Sequence, residues 1–283
     1  MTTRTILRLI AAILCLAPGI LTSAIAGEER TYSFGIVPQQ SAVKLAAKWA
    51  PVMQHLSAKT GHSFRFETAP NIPEFERRLA QGEYDFAYMN PYHYVVFSES
   101  PGYTAVAKQR DKQLKGIMVT RKDSGITELA QLDQSKLAFP SPAAFAASIV
   151  TRSNLKQSGA DIEPVYVSSH DSVYLSVAKG LYPAGGGIIR TFNNLSDDRK
   201  ETLRIMWTSD GYTPHAFAAH PDVPRAVIRA LATALIDMSD DSSGQQLLGK
   251  LNMKALEAAE DGDWDDIRAL ELETLGEISQ PGE

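Results

Sequence analysis

The run Tyr84-Asp85-Phe86-Ala87-Tyr88-Met89 ends on Asn90-Pro91, and this junction constrains the fold of the 283-residue chain more than any other feature. A short apolar and aromatic run predicts a buried strand. Asn90 suits a helix cap and Pro91 the first helical position, so a helix follows the strand directly. Two more junctions of this kind stand at Ser141-Pro142 and Ser169-His170-Asp171. In open α/β sheets ligands bind where strands end and helices begin. The three junctions are therefore expected to face one cleft.

Around them the chain alternates strands and helices. Strands are predicted over residues 31–37, 63–68, 84–89, 103–109, 115–121, 136–139, 163–167, 184–189, 203–208 and 215–219. Helices are predicted over 41–59, where Val43, Ala46, Ala47, Ala50, Met53 and Leu56 recur at helical spacing, and from Pro73 to Gly82. Others follow over 90–97, 126–132, 141–157, 169–179, 191–195, 224–238, 244–251 and 263–278. This order predicts a mostly parallel sheet covered on both faces.

There are too many units for one lobe. The segment between residues 121 and 203 is a self-contained β/α set, flanked by two strands that cross between lobes. The first lobe is expected from residues 27–117 and 212–283, and the second from 118–211. Two-strand hinges of this type allow lobes to close on a ligand.

Residues 1–26 carry Arg4 and Arg8 before an apolar run from Leu9 to Leu21, and end on Ala24-Ile25-Ala26. This is the pattern of a cleavable signal peptide. The alternative is an N-terminal membrane anchor. The only cysteine, Cys15, lies inside that segment, so the mature chain has no thiol for a disulfide, a metal or a covalent mechanism. Export without disulfides fits a bacterial periplasm. Losing two arginines and no acid takes the formal charge from −5 to −7, which argues against nucleic acid as a partner.

Helix N-termini offer N–H donors to an anion. Tyr88, Tyr92 and Tyr94 add phenols and flat walls, with Tyr94 expected in the packing. His93 is either a donor or a partly exposed surface residue. His170 follows a cap and is the better candidate, while Asp171 complements the dipole of its helix. Arg190 either grips an anionic ligand or forms a surface salt bridge. Gly185-Gly186-Gly187 lacks the Lys-Ser/Thr of a P-loop and signals close backbone approach at the cleft or hinge. His55, His62, His215 and His220 show no spaced ligand set, so no metal is expected. No G-x-S-x-G or H-E-x-x-H pattern points to an enzyme.

Several pieces resemble the PhnD-like periplasmic substrate-binding proteins of phosphate, phosphite and phosphonate ABC transporters. They are Phe34-Gly35-Ile36-Val37-Pro38, the stretch from Gly82 to Tyr94, Phe139-Pro140-Ser141-Pro142, and Ser168-Ser169-His170-Asp171-Ser172-Val173-Tyr174. The resemblance covers roughly residues 32–193. It implies a two-lobed, type II binding-protein fold with a small anion between the lobes. Tyr88 lies where the family places an aromatic contact, and Ser169 and His170 lie in its Ser-His-Asp/Glu loop. The family's Ser-Thr-Ser cluster is replaced by Ala144-Phe145-Ala146, so backbone amides remain where hydroxyls are lost.

The expected ligand-binding residues are therefore Tyr88, Asn90, Tyr92, Ser141, Ala144, Phe145, Ala146, Ser169, His170 and Arg190. The expected function is capture of a phosphonate- or phosphate-like anion for an ABC permease; the alternative is a sensor that presents its bound state to a membrane signalling protein. The chain is expected to act as a monomer without a cofactor.

Overall fold

A computed structural model describes residues 30–270. The predicted signal peptide and the end of the predicted last helix lie outside these residues.

The chain opens with strand β1 (Thr31–Ile36), helix α1 (Ala42–Thr60) and β2 (Ser63–Glu67). Helix α1 buries Leu45, Trp49, Val52, Met53 and Leu56 along one stripe. It stops at Gly61, whose φ of 72° is the left-handed conformation and whose N–H closes onto the Ser57 carbonyl. Then come α2 (Ile72–Ala80), β3 (Phe86–Met89), α3 (Pro91–Glu99) and β4 (Thr104–Gln109). Every residue of β3 is buried. Asn90 caps α3 by accepting from the His93 N–H at 2.7 Å, with Pro91 at the first helical position.

The second set comprises β5 (Gly116–Arg121), β6 (Lys136–Phe139), α4 (Thr151–Gln157), β7 (Glu163–Tyr166) and α5 (His170–Ala178). It continues with β8 (Ala184–Ile188), α6 (Ile189–Asn193), α7 (Asp197–Thr202) and β9 (Leu203–Thr208). The chain then returns through β10 (Ala216–Ala219), α8 (Arg225–Asp237), α9 (Ser242–Lys250), β11 (Leu256–Ala258) and α10 (Asp265–Arg268).

These strands form two sheets. One has the order β11-β4-β10-β3-β1-β2, the other β7-β6-β8-β5-β9. The fold is thus a two-lobed α/β architecture, as expected. The sheets are mixed rather than mostly parallel. β1 is parallel to β2 and β3, but β10 runs against β3 and β4 because the chain re-enters this sheet from the other one. In the second sheet β5 is antiparallel to both β8 and β9.

The two passages between sheets lie side by side. Leu114 and Tyr212 exchange backbone hydrogen bonds of 2.7 and 3.0 Å, and the Ser209 N–H donates to the Gly116 carbonyl at 2.9 Å.

One local reading needs correction, and two elements are absent from the sequence reading. The Ala-rich helix begins not at Ser141 but at Phe145, as a π-helix over Phe145–Val150 that runs into α4. The polar helix α7 buries no residue, so it lacks the periodicity that would reveal it. β11 has three residues at the sheet edge, too few to show alternation.

The glycines explain how the second lobe packs so tightly. A side chain on Gly186 would overlap the Ala147 carbonyl oxygen, and one on Gly116 would overlap that of Ala146. Facing the other way, Gly187 lies against the Tyr174 phenol. The run Gly185-Gly186-Gly187 therefore serves close approach of helices on both faces of β8.

Candidate functional site

The C-terminal ends of β1 and β3 adjoin in parallel, so the turns that follow them open on the same side. Across from them stand the starts of the π-helix, α5 and α6. Asn90, Ala144 to Ala147, His170 and His215 all line one cavity between these elements. Its volume is about 10 Å³, room for about one water molecule. The lobes are closed on each other.

One wall is a cradle of backbone amides. The N–H groups of Phe145, Ala146 and Ala147 have no partner among the described residues; the first bonded one is Ser148, which donates to the Ala144 carbonyl at 2.7 Å. Such unpaired N–H groups at a helix start suit an anion.

Arg190, at the start of α6, reaches across to the first lobe. Its guanidinium donates to the Tyr88 hydroxyl and to the Gln39 side-chain oxygen, and lies 5.3 Å from the centre of the Tyr88 ring. Among the described residues it has no carboxylate partner. Because the Gln39 oxygen accepts from Arg190, its amide nitrogen faces His215 Nε2 at 2.9 Å. This bonding assigns His215 the tautomer with its proton on Nδ1. His215 stacks on Tyr88 at 5.1 Å, and Trp49 packs on the same ring at 5.0 Å.

Both histidines are held neutral. Burial, reinforced by Arg190, lowers His170 to about 3. Burial pushes His215 well below its ordinary value, with Arg190 adding to the effect. His170 Nδ1 lies 3.2 Å from the Thr191 hydroxyl, which in turn meets the Tyr174 phenol at 2.8 Å. That chain fixes the ring. Lys48 is also lowered, mainly by burial and next by Arg190.

Further contacts cross the cleft. The Asn90 side-chain nitrogen donates to the Ala143 carbonyl at 3.1 Å. Lys44 pairs with Asp171 at 3.0 Å, and Asn252 donates to Asn194 at 2.7 Å.

A family profile described as "ABC transporter, phosphonate, periplasmic substrate-binding protein" matches residues 34–264. The chain belongs to this family of periplasmic substrate-binding proteins. The phosphate-import protein PhnD of Mycolicibacterium smegmatis is 22% identical over 233 residues, covering 73% of this chain and 71% of that protein. PhnD1 of Prochlorococcus marinus, solved with methylphosphonate, superposes with a TM-score of 0.78 at 18% identity, over 85% of this chain and 96% of its own. A binding-protein component of an ABC phosphonate transporter from Pseudomonas aeruginosa gives a TM-score of 0.80 at 16% identity, over 86% of each chain.

Within this substrate-binding fold the residues singled out in the sequence have different fates. Tyr88, Asn90, Ala144, Phe145, Ala146, His170 and Arg190 all line the cleft. Tyr92 is buried and lines none of the cleft's cavities. Ser141 is buried, its hydroxyl without a partner among the described residues, but it too lies outside these cavities and does not cap the helix. The Ser169 hydroxyl is used within its own helix, accepting from the Ser172 N–H at 3.1 Å.

Tyr94 belongs to the packing, as expected: it packs against Trp264 and donates to Asp261. His93 is not a surface residue. It is fully buried, with Nε2 at 2.9 Å from Glu76. Arg190 is not in a surface salt bridge either. Sequence reasoning missed Gln39, Gln40, Lys48, Trp49 and His215. The first two stand at a strand–helix junction of the same kind as the other three, and that signal was available.

Proposed function

We propose that this binding protein captures a small phosphonate- or phosphate-like anion between its lobes and delivers it to an ABC permease, after export directed by residues 1–26. The lobes divide near residues 117 and 211, where Leu114 pairs with Tyr212. The observation that carries this reading is Arg190. It is a half-buried guanidinium with no carboxylate partner among the described residues, held by the neutral Tyr88 and Gln39. A cation so placed needs an anion, and the unpaired amides of Phe145, Ala146 and Ala147 supply the donors that an oxyanion accepts. The ligands bound by the family relatives are of this chemistry. No covalent or acid–base step is required of any residue.

Because the closed amide-lined cavity holds about one water, an oxyanion enters it in an opened form. Cross-lobe contacts such as Asn90 to Ala143 must break and re-form around it. Isothermal titration calorimetry of the mature chain with phosphate, phosphite and methylphosphonate tests the proposal. Saturable binding to a phosphorus oxyanion is expected. Binding of none of them, with binding of a neutral or cationic solute instead, overturns it.

A further inference from the structure

Beside the amide-lined cavity the cleft has a second compartment, on the far side of Gln39 and Arg190. Its volume is about 30 Å³, room for two or three water-sized groups or one carboxylate. Leu45, Trp49, Tyr88 and Leu251 form its apolar walls.

Three of the polar side chains in its lining are suited to an acid: Gln40, Lys48 and Arg190. Gln40 is 5% exposed, and its side-chain nitrogen is buried with no hydrogen-bond partner among the described residues. A buried donor left unpaired is costly, which marks it as a group that a ligand satisfies. Lys48 lines the same space and has no ion pair or hydrogen bond among the described residues. Arg190 borders the compartment as well, which leaves two cations and one orphaned amide facing a single small volume.

No carboxylate lines this compartment, the amide-lined cavity, or the third space beside Arg190, where Lys112 and Lys115 stand. Asp171, whose charge is felt by Lys48, pairs with Lys44 at 3.0 Å through one carboxylate oxygen, and its other oxygen is buried without a partner among the described residues; it lines none of the three.

We infer that this compartment takes a second acidic group, so that the ligand is a bifunctional anion: a phosphorus oxyanion joined by a short organic spacer to a carboxylate. The inference rests on the function proposed above and narrows it. The phosphorus end meets the amides of Phe145, Ala146 and Ala147. The carboxylate meets Lys48 and the Gln40 amide, with Arg190 between the two charges. The same arrangement disfavours an aminoalkylphosphonate, whose ammonium would face Lys48 and Arg190 with no acid in the lining of the compartment to receive it.

The test compares affinities of the mature chain for methylphosphonate, phosphonoacetate, 3-phosphonopropionate, 2-aminoethylphosphonate and succinate. At least one phosphonocarboxylate is expected to bind about tenfold or more tightly than methylphosphonate, and the amino compound more weakly than methylphosphonate. In K48M and Q40L the ratio of phosphonocarboxylate to methylphosphonate affinity falls towards one, with circular dichroism checking that each variant is folded. Equal affinities for both classes in the wild-type protein, or a ratio that survives in both variants, overturns the inference while leaving phosphorus-oxyanion binding intact. Binding of succinate but no phosphorus compound instead removes the proposed function and with it this ligand class. Tightest binding by 2-aminoethylphosphonate refutes the charge assignment directly.

Discussion

Arg190 of the second lobe donates to the hydroxyl of Tyr88 in the first, and the same guanidinium holds the Gln39 side chain. One side chain therefore ties together the ends of β1, β3 and β8. It is also one of the cations that line the proposed ligand cleft.

Replacing Arg190 with Gln should weaken anion binding by about 10- to 100-fold, the worth of a hydrogen bond to a charged group. Lys at this position keeps the charge but loses the fork that spans Tyr88 and Gln39, so an intermediate loss is expected. Calorimetric titration with the tightest phosphorus oxyanion measures both. Full affinity in R190Q would exclude Arg190 from the site.

Gly186→Ala should destabilise the protein by about 1–3 kcal/mol or more, because the new methyl group overlaps the backbone carbonyl of Ala147. A backbone atom cannot swing aside as a side-chain tip can. Gly249→Ala is the control. It sits in α9 with open space around it, and should stabilise by about 0.5–1 kcal/mol. Chemical denaturation of the two variants distinguishes them, and similar midpoints would refute the packing account of the glycine run.

The buried histidines make stability depend on pH. His170 is lowered from 6.5 to about 3, so between those values the unfolded chain is protonated there and the folded one is not. Protons then favour unfolding, and the stabilisation present at neutral pH is lost as pH falls through this window. The loss is at most about 1.4 kcal/mol per pH unit for each such histidine, and His215 adds in the same direction. Thermal unfolding of the unliganded protein should show a falling midpoint from about pH 7 to about pH 4. H170Q should have a shallower slope, and an unchanged slope would assign the pH effect elsewhere.

Asn90→Ala removes three side-chain contacts at once: the cap on the His93 N–H at 2.7 Å, a 3.1 Å contact with the His93 ring and the link to the Ala143 carbonyl at 3.1 Å. The cap alone contributes about 0.5–2 kcal/mol. Losing the link should shift the lobes towards an open form. A lower melting temperature with a larger radius of gyration in X-ray scattering is the expected pair of results. A melting change with no change in size would reduce Asn90 to a cap.

Much of this was legible in the sequence because it is local. Asn90-Pro91 and Ser169 announced their helices through side chains that cap their own backbone. The strand–helix alternation announced an α/β fold, and two of the three junctions, at Asn90-Pro91 and Ser169-His170, bring a residue to the cleft. One misreading has a non-local cause: Ser141 looks like a cap, yet the helix begins at Phe145, where Ala146 and Ala147 pack against the glycines of β5 and β8.

What only the tertiary structure decided is which junctions work together and what charge they present. Gln39 and Arg190 are 151 positions apart and Gln39 and His215 are 176 apart, and no periodicity reports contacts at such separations. The burial that keeps His170 and His215 neutral is likewise a property of the closed lobes. Local chemistry set the elements. The long-range closure of two sheets set the field inside the cleft.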